Sequence, residues 1–125
     1  PPARLGLAYP QGALNRLIEL VGPAQAKLLL YSARFFGATE AASIGLVQQV
    51  VPKAELDEHT VKLATGISRL APLTHRATKL SVDSFHDPTK ADAAAAARRD
   101  CYGSADFREG VQAFLDKRHA AFEGH

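Results

Sequence analysis

A single run of β-forming residues lies among segments that have the periodicity of helices. The run is LVQQVV, residues 46–51, which is rich in valine and is followed by Pro52. A lone strand leaves its backbone N–H and C=O groups unpaired, which buried structure does not tolerate. The other candidate strand, residues 4–8, is short and contains Gly6. We therefore expect the partners of the LVQQVV strand to lie outside these 125 residues, and the opening PPARLGLAYP to be the cut edge of a larger domain.

The first third of the chain predicts two consecutive helices. A set of apolar residues at helical spacing forms one face of the first helix: Leu14, Leu17, Ile18 and Val21. Gly22 can end this helix and Pro23 can begin the next, over residues 23–33. The second helix is predicted to bury three side chains: Leu28, Leu29 and Tyr31.

A short helix is predicted immediately before the strand. Thr39 is the expected N-cap, Glu40 places a negative charge in the first turn, and Gly45 ends the helix. After the strand, a further helix is indicated by a stripe at helical spacing: Leu56, Thr60, Leu63, Ile67 and Leu70.

Three more helices are predicted in the last part of the chain. Pro72 begins one that continues towards Phe85. Asp87 and Pro88 are the cap and first residue of an alanine-rich helix that ends at Gly103. Ser104 caps the last helix, for which we predict a buried stripe: Phe107, Val111, Phe114, the stem of Arg118, and Phe122. The chain is thus predicted to be mostly α, with six or seven helices and one or two short strands.

Composition favours a soluble globular protein in the cytoplasm. Hydrophobic residues make up 46% and charged residues 22%, and the net charge is only +2, with scattered basic residues that give no footprint for nucleic acid. One cysteine, Cys101, excludes an internal disulfide and suits a reducing compartment. No apolar run approaches the roughly 18 residues needed to cross a bilayer, and the N-terminus lacks the layout of a signal peptide.

Residue patterns give no metal or nucleophile site. The five histidines, His59, His75, His86, His119 and His125, lack zinc-ligand spacing. There is no Gly-x-Ser-x-Gly elbow and no phosphate loop. Cys101 follows Arg98 and Arg99, whose charges could lower the pKa of its thiol, although a thiol that packs between helices is the favoured interpretation.

Four segments, in order, carry a family resemblance. They are ARLGLAYPQGALNRLIELVG, AKLLLYSARFFGATEAASIGLVQQVVP, the AP and K of LAPLTHRATK, and REGVQAFLDKRHAAF. Together they resemble the C-terminal half of an enoyl-CoA hydratase/isomerase, the crotonase family, over essentially the whole chain. The resemblance implies the C-terminal part of an α/β crotonase-like fold. Residues 1–53 would form the C-terminal edge of its core, and residues 54–125 a helical oligomerisation and CoA-side region.

The resemblance also implies an activity. Family members are hydratases (lyases) or isomerases of fatty acid metabolism, use a coenzyme A thioester as substrate without a prosthetic group, and assemble as trimers or pairs of trimers. Their oxyanion hole consists of two backbone N–H groups from the N-terminal half, which stabilise the charge that develops on the thioester oxygen. The 125-residue chain alone is therefore expected to be inactive.

No catalytic residue is assigned within the chain. The second glutamate of hydratases aligns with Pro2, which cannot exchange a proton. A glycine whose amide faces the catalytic water aligns with Pro10, which has no N–H. The intact protein is therefore expected to be a weak hydratase, or to catalyse another thioester reaction with an acid or base located upstream.

Four residues match binding positions of the family. Leu7 and Tyr9 would line the acyl pocket, with ordinary core packing as the alternative. Phe114 and Lys117 would lie near the adenine and phosphates of coenzyme A, and an ordinary exposed helix lysine is the alternative for Lys117. Arg34 could also meet phosphate on charge alone, whereas Arg118 is better explained as an exposed helix residue.

A second class of function is compatible with the same sequence. The alanine-rich ADAAAAA helix and the all-helical second half also suit a non-catalytic helical module for oligomerisation or interaction. Ligand-linked stabilisation by an acyl-CoA distinguishes the two classes of function, because only a coenzyme A site should raise the melting temperature with ligand concentration.

Overall fold

A computed structural model describes residues 2–125, and their regular structure is entirely helical. The α-helices are α1 (Pro2–Leu5), α2 (Gln11–Ser32), α3 (Ala38–Ser43), α4 (Leu56–Ser68), α5 (Pro72–His86), α6 (Ala91–Gly103) and α7 (Ala105–Leu115). Short 3₁₀ turns lie at Lys53–Glu55 and Pro88–Lys90. The chain divides into two compact units, one extending to Leu56 and the other comprising Asp57–His125. The prediction of a mostly α chain is confirmed.

Helix α2 is interrupted where the sequence predicts a break. Gly22 has φ 76° and ψ 163°, outside the helical region, and Pro23 continues the helix beyond it. This φ is accessible to glycine without the steric penalty that a Cβ would bring. The predicted apolar face before the break is confirmed as half-buried, and it comprises Leu14, Leu17, Ile18 and Val21.

The burial predicted after the break is wrong in part. Leu28 and Tyr31 are exposed and Leu29 is half-buried, while Ala26 is the buried residue of α2. The reason is that the pattern identified an apolar face, but the first unit offers nothing large enough to cover it.

The cap of α3 differs from the prediction. The N-cap is Gly37, which has no side chain with which to cap the helix, and the helix begins at Ala38. Thr39 therefore lies inside the first turn and does not cap it. Glu40 in the first turn is confirmed. Gly45 lies just beyond the helix with φ 79°, the left-handed conformation expected of a glycine that ends a helix.

Residues 46–51 do not form the predicted strand. They continue through bends, and the N–H groups of Leu46 and Val47 both approach the carbonyl oxygen of Ala41, at 2.9 and 3.4 Å. The physical reason is that no described segment offers a β-ladder, so the valine-rich run has no strand to pair with. The second candidate strand, residues 4–8, is also absent, because α1 occupies its beginning.

Helices α4 and α5 form where they are predicted, but the apolar stripe of α4 is uncovered. None of the residues of α4 is buried, and the large stripe residues Leu56, Leu63 and Ile67 are exposed, as is Leu70 beyond the helix end. Pro72 begins α5 as expected. The ring Nε2 of His75 lies 3.0 Å from the carbonyl oxygen of Ile67 and links the start of α5 to the end of α4.

Helices α5 and α6 make the closest helix pair in the second unit. Their buried residues are small: Ala77 on α5, and Ala94 and Ala97 one turn apart on α6. Because alanine has only a methyl group, the two backbones approach closely at this point. The sequence predicted close approach through this alanine run, and the packing confirms it.

Both predicted caps in the second unit are confirmed, with one shift of boundary. The carboxylate of Asp87 accepts a hydrogen bond from the Thr89 N–H at 3.2 Å, but the turn that it caps is 3₁₀, and α6 itself begins at Ala91. The Ser104 hydroxyl accepts from the Phe107 N–H at 2.9 Å and donates to the Cys101 carbonyl at 2.7 Å. Ser104 therefore joins the end of α6 to the start of α7.

The predicted buried stripe of α7 is wrong. Phe107, Val111 and Arg118 are exposed, and Phe114 is 82% exposed, whereas Asp106 and Ala113 are the buried residues of this helix. Phe122 is half-buried. The large apolar side chains of α7 are thus left uncovered by the rest of the second unit.

The interior of both units is built from alanine. The buried apolar residues are Ala26, Ala33, Ala41, Ala77, Ala94, Ala97 and Ala113. Among residues 2–125 no large side chain is fully buried, while many large apolar side chains are exposed, including Phe85 at 82%. Such extensive exposed apolar surface is typical of faces that another protein surface covers.

Candidate functional site

The segment proposed to line an acyl pocket is a loop on the surface of the first unit. Leu7 is 64% exposed and Tyr9 is 52% exposed, so neither side chain packs in the core of that unit. The Leu7 N–H donates to the Pro2 carbonyl at 3.1 Å, which closes the turn after α1. At the other end of the loop, the Pro10 carbonyl accepts from Ala13 at 3.0 Å at the start of α2. Pro2 and Pro10 thus contribute carbonyl oxygens and no titratable group.

The two residues proposed to bind coenzyme A lie together at the end of α7. The Lys117 N–H donates to the Phe114 carbonyl at 3.3 Å, and both side chains are exposed. Lys117 has φ 53°, so it lies in a left-handed turn beyond the helix end rather than on the helix surface. Among residues 2–125, its ammonium group forms no ion pair.

Arg118, the next residue, contacts two carboxylates, those of Glu109 and Asp116. Its guanidinium donates to both carboxylate oxygens of Glu109, Nη1 to Oε1 at 2.6 Å and Nη2 to Oε2 at 2.8 Å. Its Nε lies 3.5 Å from an oxygen of Asp116. Lys117 and Arg118 are neighbouring surface cations in the sequence. In the structure, Arg118 forms a bidentate ion pair with Glu109, whereas Lys117 forms no ion pair among the described residues.

A clasp connects the end of the chain to α7. We define the tail clasp as Asp106, Glu109 and Arg118 together with the segment 119–125. The buried carboxylate of Asp106 accepts from the N–H groups of Glu123 at 2.8 Å and Gly124 at 3.0 Å. Glu109 Oε1 also accepts from the Ala121 N–H at 2.9 Å. The clasp fixes the backbone on both sides of the Lys117 turn.

Apolar packing supports the same clasp. The ring of Phe122 packs over Gly110, 3.5 Å from the point where a Cβ on Gly110 would stand, which is an ordinary van der Waals distance. The Ala105 and Asp106 N–H groups, at the start of α7, donate to the carbonyl oxygen of His125 at 2.8 and 3.1 Å.

The sequence did not indicate Asp106 and Glu109. Asp106 is an ordinary carboxylate of a first helical turn, where it interacts favourably with the helix dipole, and Glu109 follows nearer the middle of α7. The only available signal was the spacing DFRE after the Ser104 cap, which places Asp106 and Glu109 three residues apart on one face of α7.

A cavity of about 1010 Å³ lies between α5, α6 and α7 within the second unit. Its aromatic lining consists of Phe85, Tyr102, Phe107, Phe114 and Phe122. The Tyr102 and Phe107 rings meet edge to face with centroids 5.7 Å apart. Half-buried Cys101 also lines this cavity, and Arg98 donates to the Ser81 hydroxyl at 2.9 Å on its wall. Cys101 is therefore a half-buried residue of the cavity wall, and its role in helix packing stays a prediction.

Arg34 is committed to neighbours within the first unit. Its guanidinium pairs with both carboxylate oxygens of Glu40 and lies over the Phe36 ring, 3.8 Å from the ring centroid. The hydrogen bonds raise the pKa of Arg34 and lower the pKa of Glu40. Arg34 thus supports the loop before α3, and the structure gives it no free charge for a phosphate.

Within residues 2–125, no three His, Cys, Asp or Glu side chains are grouped closely enough to hold a metal ion. No helix in the same range is both long and apolar enough to cross a lipid bilayer.

The ion pair of the clasp predicts acid sensitivity. Hydrogen bonds from Arg118 and the Ala121 N–H lower the pKa of Glu109 from 4.5 to about 2. Because the folded-state pKa lies below the unfolded one, this group stabilises the fold fully above about pH 4.5, and the contribution is lost as the pH falls towards 2. We expect the melting temperature to decrease across this window, and to decrease less in Glu109→Gln, which has no carboxylate to protonate.

The comparison of Glu109→Gln with the unaltered chain isolates this group, since Glu40 and Asp87 also have lowered pKa values and titrate in both proteins. Melting curves recorded by circular dichroism from neutral pH to pH 2 provide the test. Parallel pH profiles for the two proteins would show that Glu109 is not paired in the folded state.

Comparison with known proteins places the chain in a family. The family model for enoyl-CoA hydratase/isomerase matches residues 1–125. A crotonyl-CoA hydratase of Syntrophomonas wolfei is 38% identical over 98% of this chain and 48% of its own length. A methylmalonyl-CoA decarboxylase of Escherichia coli is 31% identical over 99% of this chain and 49% of its own length.

Solved structures of the same family share the fold of this chain. A crystal structure of an enoyl-CoA hydratase/isomerase family protein from Hyphomonas neptunium aligns with a TM-score of 0.83 and 36% identity, over 99% of this chain and 48% of that one. The crotonase-like fold expected from the sequence is therefore confirmed for this chain. The chain spans about half the length of the curated relatives that it matches. Because the family model covers every residue, the chain belongs to the enoyl-CoA hydratase/isomerase family.

Proposed function

We propose that this chain is the C-terminal, CoA-side half of an acyl-CoA enzyme, and that the catalytic oxyanion donors belong to the other half. In a chain of this family, the main support is the position of Phe114 and Lys117. An exposed aromatic ring at the end of α7 and an ammonium without an ion pair among the described residues lie close together, next to the segment that the tail clasp holds. An aromatic face can stack on a purine base, and a lysine is a suitable point charge for phosphate.

Leu7 and Tyr9 are proposed to line the acyl side of the substrate site. Both are exposed in the first unit, so they are available to form a wall against groups supplied by the other half. Tyr9 combines an apolar ring with a hydroxyl that requires a partner if it becomes buried. The thioester of coenzyme A is the proposed substrate, without a prosthetic group.

We propose that simple hydration is not the favoured reaction. Hydratases of this family use a glutamate where this chain has Pro2, and a prolyl ring neither accepts nor donates a proton. Relatives named as a hydratase and as a decarboxylase resemble the chain to similar degrees, so family membership leaves the reaction open. Isomerisation or another thioester reaction, with the acid or base upstream, fits the residues better. Fatty acid metabolism in the cytoplasm, in homotrimers or pairs of trimers, is the proposed context.

The test of the coenzyme A site is ligand-linked stabilisation. We expect coenzyme A to raise the melting temperature of the chain with increasing concentration, because a ligand that binds only the folded state stabilises it by mass action. Lys117→Ala should weaken binding about fivefold to tenfold, the loss of one charge-assisted contact. Lys62→Ala, which removes the same charge from exposed α4, is the matched control and should bind as the unaltered chain does.

A second candidate function is a non-catalytic helical module for oligomerisation or interaction. The exposed apolar residues of α4 and α7 favour it. Such a module would show no coenzyme A-linked stabilisation, and neither lysine variant would differ from the unaltered chain. That result would reject the acyl-CoA proposal in favour of the second one.

A further inference from the structure

Two adjacent cations, Lys117 and Arg118, follow the end of α7 and differ in their ionic contacts. Arg118 pairs with both carboxylate oxygens of Glu109, whereas Lys117 forms no ion pair among the described residues. The family resemblance distinguishes Lys117 from Arg118, but the sequence does not show which partner either residue has. The carboxylate that separates their roles lies nine residues before Arg118, near the middle of α7.

The turn between these cations has a conformation that needs support. Lys117 has φ 53°, and a residue with a Cβ rarely adopts the left-handed region unless neighbouring structure fixes it. Backbone hydrogen bonds close the turn, from the Lys117 N–H to Phe114 at 3.3 Å and from the Arg118 N–H to Ala113 at 3.0 Å. The second bond joins the residue after the turn to a buried position of α7.

Side-chain pairing fixes the same turn from outside the helix. Glu109 accepts from Arg118 on one side and from the Ala121 N–H on the other, so one carboxylate holds the chain on the far side of Lys117 at two points. A carboxylate on a regular helix is a rigid anchor, because its backbone is fixed by the helical hydrogen bonds. The Glu109 side chain is largely covered, with 25% of its surface exposed.

The same pairing leaves the charge of Lys117 uncompensated. Three side-chain carboxylates lie within eight residues of Lys117, those of Glu109, Asp116 and Glu123, and an oxygen of Glu123 lies 3.6 Å from Nε2 of His125. Glu109 is occupied by Arg118, and Asp116 accepts from Gln112 at 2.9 Å and lies 3.5 Å from Arg118 Nε. All three carboxylates thus lie against partners other than Lys117, whose ammonium stays available for an external anion.

We propose that Glu109 is a positioning residue for the phosphate-binding lysine: through Arg118 it fixes the left-handed turn at Lys117 and withholds Arg118 from the ligand. The inference rests on the proposed coenzyme A site, and it adds that Arg118 does not itself bind phosphate. Glu109 touches no ligand under this proposal, and it acts only through the turn.

A double-mutant cycle in the 125-residue chain tests the proposal, with the dissociation constant for coenzyme A measured by titration well below the melting temperature of every variant. We expect Glu109→Gln to weaken binding about fivefold. If Glu109 acts through Lys117, the same substitution should have almost no further effect in a Lys117→Ala background, because coupled residues are non-additive. A purely structural role would lower stability equally in both backgrounds and would not produce this coupling.

Two further variants keep the test decisive if Glu109→Gln folds poorly. Arg118→Lys retains the charge but cannot form the bidentate pair, and we expect it to weaken binding as Glu109→Gln does. The exchanged pair, Glu109→Arg with Arg118→Glu, should recover much of the affinity. Glu58→Gln removes a carboxylate from exposed α4 and is the matched control.

The outcomes separate the inference from the function on which it rests. If Lys117→Ala weakens binding and Glu109→Gln and Arg118→Lys leave it unchanged, the positioning role is wrong and the coenzyme A site stands. If the unaltered chain does not bind coenzyme A, or Lys117→Ala binds as tightly as it does, the proposed site fails and the inference fails with it.

Discussion

Asp106→Ala is expected to release segment 119–125 from α7 and to reduce the free energy of unfolding by about 2 kcal/mol. Asp106 is only 4% exposed, and its two carboxylate oxygens accept hydrogen bonds from the Glu123 and Gly124 N–H groups at 2.8 and 3.0 Å. Alanine removes both acceptors and leaves the two donors unpaired beside a vacated site. Denaturant unfolding measures the stability, and amide hydrogen exchange at residues 123 and 124 measures the release directly.

The control for this variant is Asp100→Ala. Asp100 is exposed in the last turn of α6, where a negative charge opposes the helix dipole, so its removal should be neutral or slightly stabilising. Asp106→Asn should fall between the two, because the amide retains one acceptor oxygen. Unchanged exchange at residues 123 and 124 in Asp106→Ala would show that the clasp does not form in solution.

The purified chain is expected to show no turnover of crotonyl-CoA above the rate in buffer. The proposal assigns the oxyanion donors to the other half of the enzyme, and removal of even one such donor typically costs about a hundredfold or more in rate. Pro2 has no carboxylate, and Pro10 has no backbone N–H, so neither residue supplies the group that hydratases use at its position. The measurement follows the absorbance of the enoyl thioester, with the crotonyl-CoA hydratase of Syntrophomonas wolfei as the positive control.

The variant Pro2→Glu, assayed in the same way, tests whether a missing carboxylate alone accounts for the absence of turnover. A glutamate there restores one acid–base group of a hydratase, but without the oxyanion donors it should leave the chain inactive. Turnover by the unaltered chain would refute the assignment of catalysis to the other half. Turnover by Pro2→Glu alone would show that the chain holds the oxyanion donors and lacked only a carboxylate.

Local signals in the sequence predicted local structure well. The break at Gly22 and Pro23, the cap at Ser104 and the start of α5 at Pro72 depend on residues within a few positions of each other, so their chemistry is readable from the sequence. The Thr39 cap is wrong because the helix begins two residues earlier than predicted, at Ala38. A shift of this size is the usual uncertainty of a helix end.

Burial and the site depended on distant residues and were predicted less well. Helical periodicity identified the apolar faces that include Tyr31 and Phe114, but it could not show that these two side chains are left exposed among the described residues. The resemblance pointed to Lys117, but not to its left-handed turn or to the pairing of Glu109 with Arg118 nine residues away, which no local pattern encodes. The valine-rich run failed as a strand for the related reason that a strand needs a partner.

We expect the apolar faces of these helices to be completed by protein outside the chain. The direct measurement is the fluorescence of an anilinonaphthalenesulfonate dye with the purified chain under native conditions. We predict strong dye binding, because the buried interior consists of alanines while Phe85, Phe114 and the stripe of α4 are exposed. A native chain that excludes the dye and unfolds cooperatively would contradict the claim.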